Sequence, residues 1–345
     1  MAFGALKVRT GAYAYVQYDF ETTFNCACTP AQACLNKVFG FEQKVSAWTW
    51  TNSRITLNQL NSVEPKTFVY GQARGSLSMD FVVGNPWYNS LLFDRTVCCF
   101  PATAGCPPVE TYTWELTSDA GTKDVESFAA EIGIDQCGAT DTVRILRGAV
   151  TNNITLRSAI GEPVRATADI AYSSDNISTS VDATPASDTI GTGCSQYTPF
   201  TFAHGQLQWN CCIIAELQSF DISLNQNPEL LYGHNCNHPV DSFRRVFEMT
   251  GSFSATHTCR ILLDDLYAQI ADNSQTLAAE QAQIVLTIDN GLTTTNQRKI
   301  TYTFTGIGIG DHSSSIEPVE PIFENITWQA KSAQVVAVTD DLAEP

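Results

Sequence analysis

Two stretches of this chain pass through the same series of patterns, and that constrains the fold more than any single motif. They run from about Val45 to Tyr172 and from about Leu217 to Ala330. Each holds a strand-like segment, a polar loop and a long alternating strand headed by Gly-Ser-apolar (Gly75-Ser76-Leu77 and Gly251-Ser252-Phe253). A short helical segment, a hairpin and two closing strands follow, the last pair turning at Glu162-Pro163-Val164 and Glu317-Pro318-Val319. Leu77, Met79 and Phe81 alternate with Ser76, Ser78 and Asp80, the period of a strand with one face in a core and the other in water. A unit repeated in tandem offers similar surfaces twice, so the expected behaviour is pseudo-symmetric self-association rather than a catalytic cleft.

At 345 residues the chain is long enough for two modest domains with cores of their own. Charged residues make up only 16%, while Thr, Ser, Asn and aromatics abound, a balance that favours an all-β fold of sandwiches or barrels. The net charge of −17 opposes the counterion release that drives binding to a phosphate backbone, so a nucleic-acid binder is disfavoured. The same charge suits a conduit, whose wall must let DNA pass without holding it. No apolar run reaches the roughly 20 residues of a membrane span, and Met1 to Tyr15 lacks a signal-peptide core. Cytoplasmic synthesis without membrane insertion is the expectation.

The chain divides by pattern into an N-terminal arm (1–44), a first β domain (45–172), a Ser/Thr/Asp/Gly-rich linker merging into the start of the second repeat (173–216), a second β domain (217–335) and an acidic tail (336–345). Within the arm, Thr29-Pro30 opens a short predicted helix. Trp87, Tyr88, Leu91 and Leu92 after Asn85-Pro86 predict one short helix, and Asp265 to Ile270 predicts its counterpart. The apolar phase slips across Gly306, which predicts a bulge. Twelve cysteines leave bridged and free-thiol readings open, since neighbours such as Cys98-Cys99 and Cys211-Cys212 point to opposite faces of a strand.

With these elements in order, the chain resembles the major tail tube proteins of long-tailed bacterial or archaeal viruses. The resemblance is carried by Gly75-Ser76-Leu77-Ser78-Met79 and Gly251-Ser252-Phe253-Ser254, by Gly148 to Tyr172 with Asn153-Ile154-Thr155-Leu156, and by Leu217 to Leu224. It implies two tandem tail-tube-like β-sandwich or barrel domains, each with a short flanking helix. It further implies a homotrimer acting as a pseudo-hexameric ring, with rings stacked into a virion tail around an acidic lumen that conducts DNA. The two polar loops then correspond to the family's stacking loop, with Asn52, Asn58, Asn61 and Glu64 in the first and Asn225, Asn227, Glu229, His234 and His238 in the second. Implied partners are further copies of the chain and the tail terminator, tape measure and distal tail proteins. No cofactor and no enzymatic activity are implied, and synthesis falls in the host cytoplasm.

Other chemistries have thinner support. His234, Cys236 and His238 alternate along five residues, so an extended backbone puts three metal donors on one side, but nothing helical fixes them. No Gly-x-Ser-x-Gly elbow is present, and His204 with Cys211 or Cys212 has nothing to orient it. Gly306, Gly308 and Gly310 resemble half of a nucleotide fingerprint without its helix. A surface adhesin or carbohydrate-binding module, with Trp48, Trp50 and Trp328 as a platform, stands as the alternative to a structural virion protein.

Overall fold

The computed structural model describes residues 14–21, 23–25, 37–57, 67–96, 110–116, 126–134, 142–178, 199–210, 212–214, 217–234, 236–256, 282–292, 297–315 and 322–339. The first strands are β1 (Ala14–Phe20), β2 (Phe41–Leu57), β3 (Thr67–Val82), β4 (Asp94–Thr96), β5 (Glu110–Glu115) and β6 (Phe128–Ile134). Then come β7 (Thr142–Ala159), β8 (Arg165–Tyr172), β9 (Ser174–Ser178), β10 (Gly205–Trp209), β11 (Cys212–Ile213), β12 (Leu217–Asn225), β13 (Pro228–Tyr232) and β14 (Pro239–Arg244). The chain ends with β15 (Glu248–Thr256), β16 (Gln283–Asp289), β17 (Lys299–Thr305), β18 (Gly308–Ser315), β19 (Phe323–Ala330) and β20 (Ser332–Thr339). Trp87–Leu91 and Phe202–His204 form short 3-10 turns, the helical content among the described residues. The chain is all-β, as its alternating β-branched and aromatic residues dictate.

One continuous path of strands, β18-β19-β15-β12-β7-β8-β3-β2, is antiparallel throughout. A second sheet runs β11-β10-β16-β17-β20-β5-β4. Both sheets therefore mix strands from the two stretches, and their inner faces share one buried cluster. Tyr88 Oη lies 2.6 Å from Tyr302 Oη, and Tyr302 donates to Asn89 Oδ1 at 2.9 Å, joining the turn after β3 to β17 of the other sheet. Phe304 packs its ring 4.9 Å from that of Trp328 across the same layer. The long β7 leaves the main path at Gly148, whose φ of +57° suits a residue without Cβ. There the Glu21 carboxylate accepts the Gly148 N–H and a hydrogen bond from Ser127 Oγ at 2.7 Å, so the chain after β1 clamps the bend. Beyond it the first half of β7 pairs with β6 and β9.

Cross-strand rows separate the two faces of the main path. Phe81, Ala166, Leu156, Ile222, Gly251 and Trp328 stand opposite one another in turn, and all but the glycine are fully or nearly fully buried. Each large apolar side chain in such a row stabilises the fold by about 1.5–3 kcal/mol. The adjacent row, Lys44, Asp80, Thr167, Thr155, Ser223, Thr250 and Gln329, belongs to the opposite, polar face.

The register repeats. Trp50 faces Gly75 across β2–β3, and Ile222 faces Gly251 across β12–β15. The first ladder slips between Val45 and Ala47 and the second between Leu217 and Ser219, at the same distance from those pairs. On its other side Gly75 faces Tyr172, and Gly251 faces Trp328. A Cβ on Gly75 would lie 1.9 Å from Tyr172 Cζ, and one on Gly251 would lie 2.4 Å from Trp328 Cζ2. Each glycine is thus the floor for an aromatic ring. Gly75→Ala and Gly251→Ala should each cost about 1–3 kcal/mol by overpacking, read from denaturant midpoints; wild-type midpoints would refute the account.

Several expectations change. Asn52 is in β2, not a loop, because β2 and β3 pair on to Leu57 and Thr67. The predicted 225–241 loop is mostly the β13–β14 hairpin, held by five cross-strand pairs. Residues of the expected N-terminal arm enter the core, since β1 pairs with β6 and Tyr18 and Phe39 are fully buried. Ser174–Ser178 in the expected linker pair with β7. Gly306, with φ of +67°, carries the chain from β17 in one sheet to β18 in the other rather than bulging a single strand, and the bulge comes later, between Ile309 and His312. Val336 to Thr339, expected in the tail, lie in β20 and pair with β5 and β17. The predicted helices at Thr29-Pro30 and at 265–270 lie outside the described residues.

Candidate functional site

The main path ends in β2 on one side and β18 on the other. Among the described residues each pairs with one neighbour only, so each presents an outer edge with unsatisfied backbone donors and acceptors. Midway along the path, β7 and β12 pair over seven residues, from Asn153–Asn225 to Ala159–Ser219. That seam joins a four-strand block, β2-β3-β8-β7, to a second block in the same order, β12-β15-β19-β18. Alternation of direction makes β2 run parallel to β12 and β18 parallel to β7, so the outer edges have the polarity of the two strands that meet at the seam.

The polar face of this path is lined by hydroxyls and amides. Its charges include Lys44, Arg74, Arg157 and Arg165 against Asp80, Asp169, Asp221 and Glu248, with exposed Asp311 in the β18 bulge. All four basic residues belong to the first block. Arg165 reaches Glu42 at 3.0 Å, and Arg157 stands directly opposite Asp221. Partial burial pushes the Asp221 carboxyl up, and Arg157 pulls it the other way. An open recess on this face is bordered by Thr49, Thr51, Arg74, Ser76, Asp169 and Glu229.

Two arms leave the sheet at the same end of its strands. The first is the outer part of β2 and β3, where Ile55, Leu57, Phe68 and Val69 are exposed and the Arg54 guanidinium lies 4.6 Å from the Phe68 ring centre. The second is the β13–β14 hairpin. The model for phage tail tube proteins matches residues 11–330, nearly the whole chain.

The chain belongs to the phage tail tube protein family.

The tail tube protein is accordingly a structural component of the viral tail. A search of curated proteins returned no match. Of the residues expected in the stacking loops, Asn58, Asn61 and Glu64 lie outside the described residues. Asn52 is an exposed residue of β2, and Asn225 closes β12, its side chain accepting the Asn227 N–H at 3.0 Å. Asn227 turns the chain with φ of +46° and donates to the Val246 carbonyl, while Glu229 in β13 pairs with Arg245. His234 is exposed at the hairpin turn, whereas His238 hydrogen-bonds the Ser173 carbonyl through Nδ1 at 3.1 Å, its ring 5.8 Å from that of Trp50.

His234, Cys236 and His238 are not gathered: among the described residues no group of three His, Cys, Asp or Glu side chains could hold a metal ion. The hairpin turn breaks the extended backbone that would have aligned them. Cys236 is an exposed free thiol. No helix among the described residues is long and apolar enough to cross a membrane. The three tryptophans form no platform, since Trp328 is buried and Trp48 lies under the Arg144 guanidinium at 4.4 Å. Sequence reasoning missed Tyr172, whose hydroxyl accepts from Trp48 Nε1 and donates to the Thr49 carbonyl, both at 2.9 Å. Its signal was Gly75, a glycine inside a strand pattern, which marks a close approach. The β7–β12 seam left no local signal.

Proposed function

We propose that this protein is an internally duplicated major tail tube subunit, three copies of which close into a pseudo-hexameric ring. The carrying observation is the β7–β12 seam: a chain that already joins two like-ordered blocks edge to edge has the same two strand polarities free at its ends. Repeating that joint between copies is a heterologous contact that closes into a ring if the rotation allows. It pairs both edges of the main path and so removes their template for uncontrolled aggregation.

The seam also supplies the register. Tyr172 and Trp328 face equivalent glycines, and five residues before each stand Thr167 and Phe323, opposite Thr155 and Ser315. Thr155 meets Ser223, one residue after Ile222. By equivalence Ser315 of one copy meets Thr51 of the next, with Ser314 on Asn52 and Ser313 on Ser53. Barrels of roughly 16–18 strands already leave an aqueous channel, and three eight-strand paths exceed that.

The polar face then lines the bore. There Asp80, Asp169, Asp221, Glu248 and Asp311 face Lys44, Arg74, Arg157 and Arg165, with Arg165 bonded to Glu42 and Arg157 opposite Asp221, so duplex DNA passes without being gripped. The two arms stand at the ring edge that faces the next ring of the stack. Tail terminator, tape measure and distal tail proteins are the partners of the finished tube in the virion, and the subunit is made in the host cytoplasm.

Purified protein should form rings or striated tubes with an open bore by electron microscopy, and native mass spectrometry should give three copies per ring. DNA retention should be negligible and almost insensitive to salt, because little counterion release accompanies contact. Persistent monomers at high concentration, or DNA held with a steep salt dependence, would refute the proposal.

A further inference from the structure

The second arm does not stand free. At its root Arg244 donates to the Leu92 carbonyl at 2.9 Å and faces Asp94 at 3.5 Å. At its tip the Asn237 carbonyl accepts the Ala73 N–H at 2.7 Å, and Ser173 Oγ donates to the Pro239 carbonyl at 2.9 Å. With His238 beside Trp50, the arm leaving β12 leans back over β7 and β8 and lands on the root of the first arm. Among the described residues the first arm has no such landing in its own chain, because β2 is the terminal strand of the path. One face of it carries Ile55, Leu57 and Val69, respectively 55%, 46% and 44% exposed, aligned by the Ile55–Val69 and Leu57–Thr67 pairs.

We infer that the base of the first arm is a lateral clasp: it leans over β18 and β19 of the neighbouring copy in the same ring and lands on the root of that copy's second arm. The inference rests on the ring reading above and follows from its equivalence. Ala73 precedes Gly75 by two residues, as Met249 precedes Gly251, so the landing falls beside Met249. There Val246 is 65% exposed, and the Asn227 side chain fixes its carbonyl at 3.0 Å. The occupant is a second copy of this chain. The arms thus form a closed shingle, each on the root of the one before.

A photo-reactive benzoylphenylalanine at Leu57 tests this in assembled tubes. Adducts should map to residues 224–231 or 244–249 of another copy. Adducts confined to the same chain, or to the turn at 160–162 on the opposite end of the sheet, would overturn the clasp while leaving rings intact. Absence of any closed ring would overturn the ring reading and the clasp with it. The triple variant Ile55→Asp, Leu57→Asp, Val69→Asp should keep the monomer's circular dichroism and lower ring yield at least about tenfold. Ring yield at the wild-type level would also refute the clasp.

Discussion

A proline at Thr51 or Asn52, whichever carries the outward N–H, is expected to abolish ring formation while leaving the single chain folded. Successive N–H groups of a strand point to opposite sides, so one of these two residues aims its donor away from β3. Proline is tolerated on the solvent side of an edge strand, where no ladder bond is lost. In the ring that side meets Ser315 or Ser314 of the next copy. The missing donor leaves a buried carbonyl unpaired and weakens each interface by about 1–3 kcal/mol, roughly fivefold to a hundredfold. A closed ring carries the defect at every interface, so the loss compounds. Native mass spectrometry reads the stoichiometry and thermal melting the fold. Rings at wild-type yield would show that β2 is not the closing edge; a collapsed melting transition would show that the donor faced β3, and the other position then serves.

Stability should fall steeply above about pH 10, and two buried hydroxyls should account for most of the slope. Tyr88 and Tyr302 are fully buried and share a hydrogen bond, and burial raises both phenols well above their ordinary range. In the unfolded chain each ionises near pH 10. Between that pH and the raised folded value, the unfolded state binds fewer protons than the native state, so stability decreases as pH rises. The contribution is complete below pH 10 and is lost through the alkaline range at about 1.4 kcal/mol per pH unit for each tyrosine. The double variant Tyr88→Phe, Tyr302→Phe should be less stable at pH 7, because Asn89 Oδ1 loses its donor. Its alkaline limb should flatten, as measured by denaturant melts from pH 8 to 12. An unchanged slope would place the alkaline sensitivity elsewhere.

Local pattern announced much of this architecture. Leu77, Met79 and Phe81 alternate as they pack, Gly161 and Pro163 turn the β7–β8 hairpin, and the 3-10 turn at Trp87–Leu91 falls where the aromatic spacing put it. The tail tube resemblance was legible because it lies in element order, which alternation and turn residues encode within a few positions. Asn52 and the 225–241 segment read as loops because polar residues dominate them, yet they pair, since a hairpin exposed on both faces needs no apolar alternation. The weak metal candidate at His234, Cys236 and His238 is not gathered for a related reason: spacing along five residues implies a shared side only while the backbone stays extended, and a turn intervenes.

The sequence by itself determined the core strands with alternating apolar residues, their inward faces and the recurrence of one pattern along the chain, because side-chain periodicity and turn chemistry act over a few residues. Only the tertiary structure decided that β7 pairs with β12, that Gly75 and Gly251 are floors for Tyr172 and Trp328, and that β2 and β18, the two ends of the path among the described residues, have matching polarity. Backbone hydrogen bonding between strands is almost blind to sequence. Which edges meet is settled by how the whole set of apolar faces closes over one core, a non-local condition that no short stretch of residues carries.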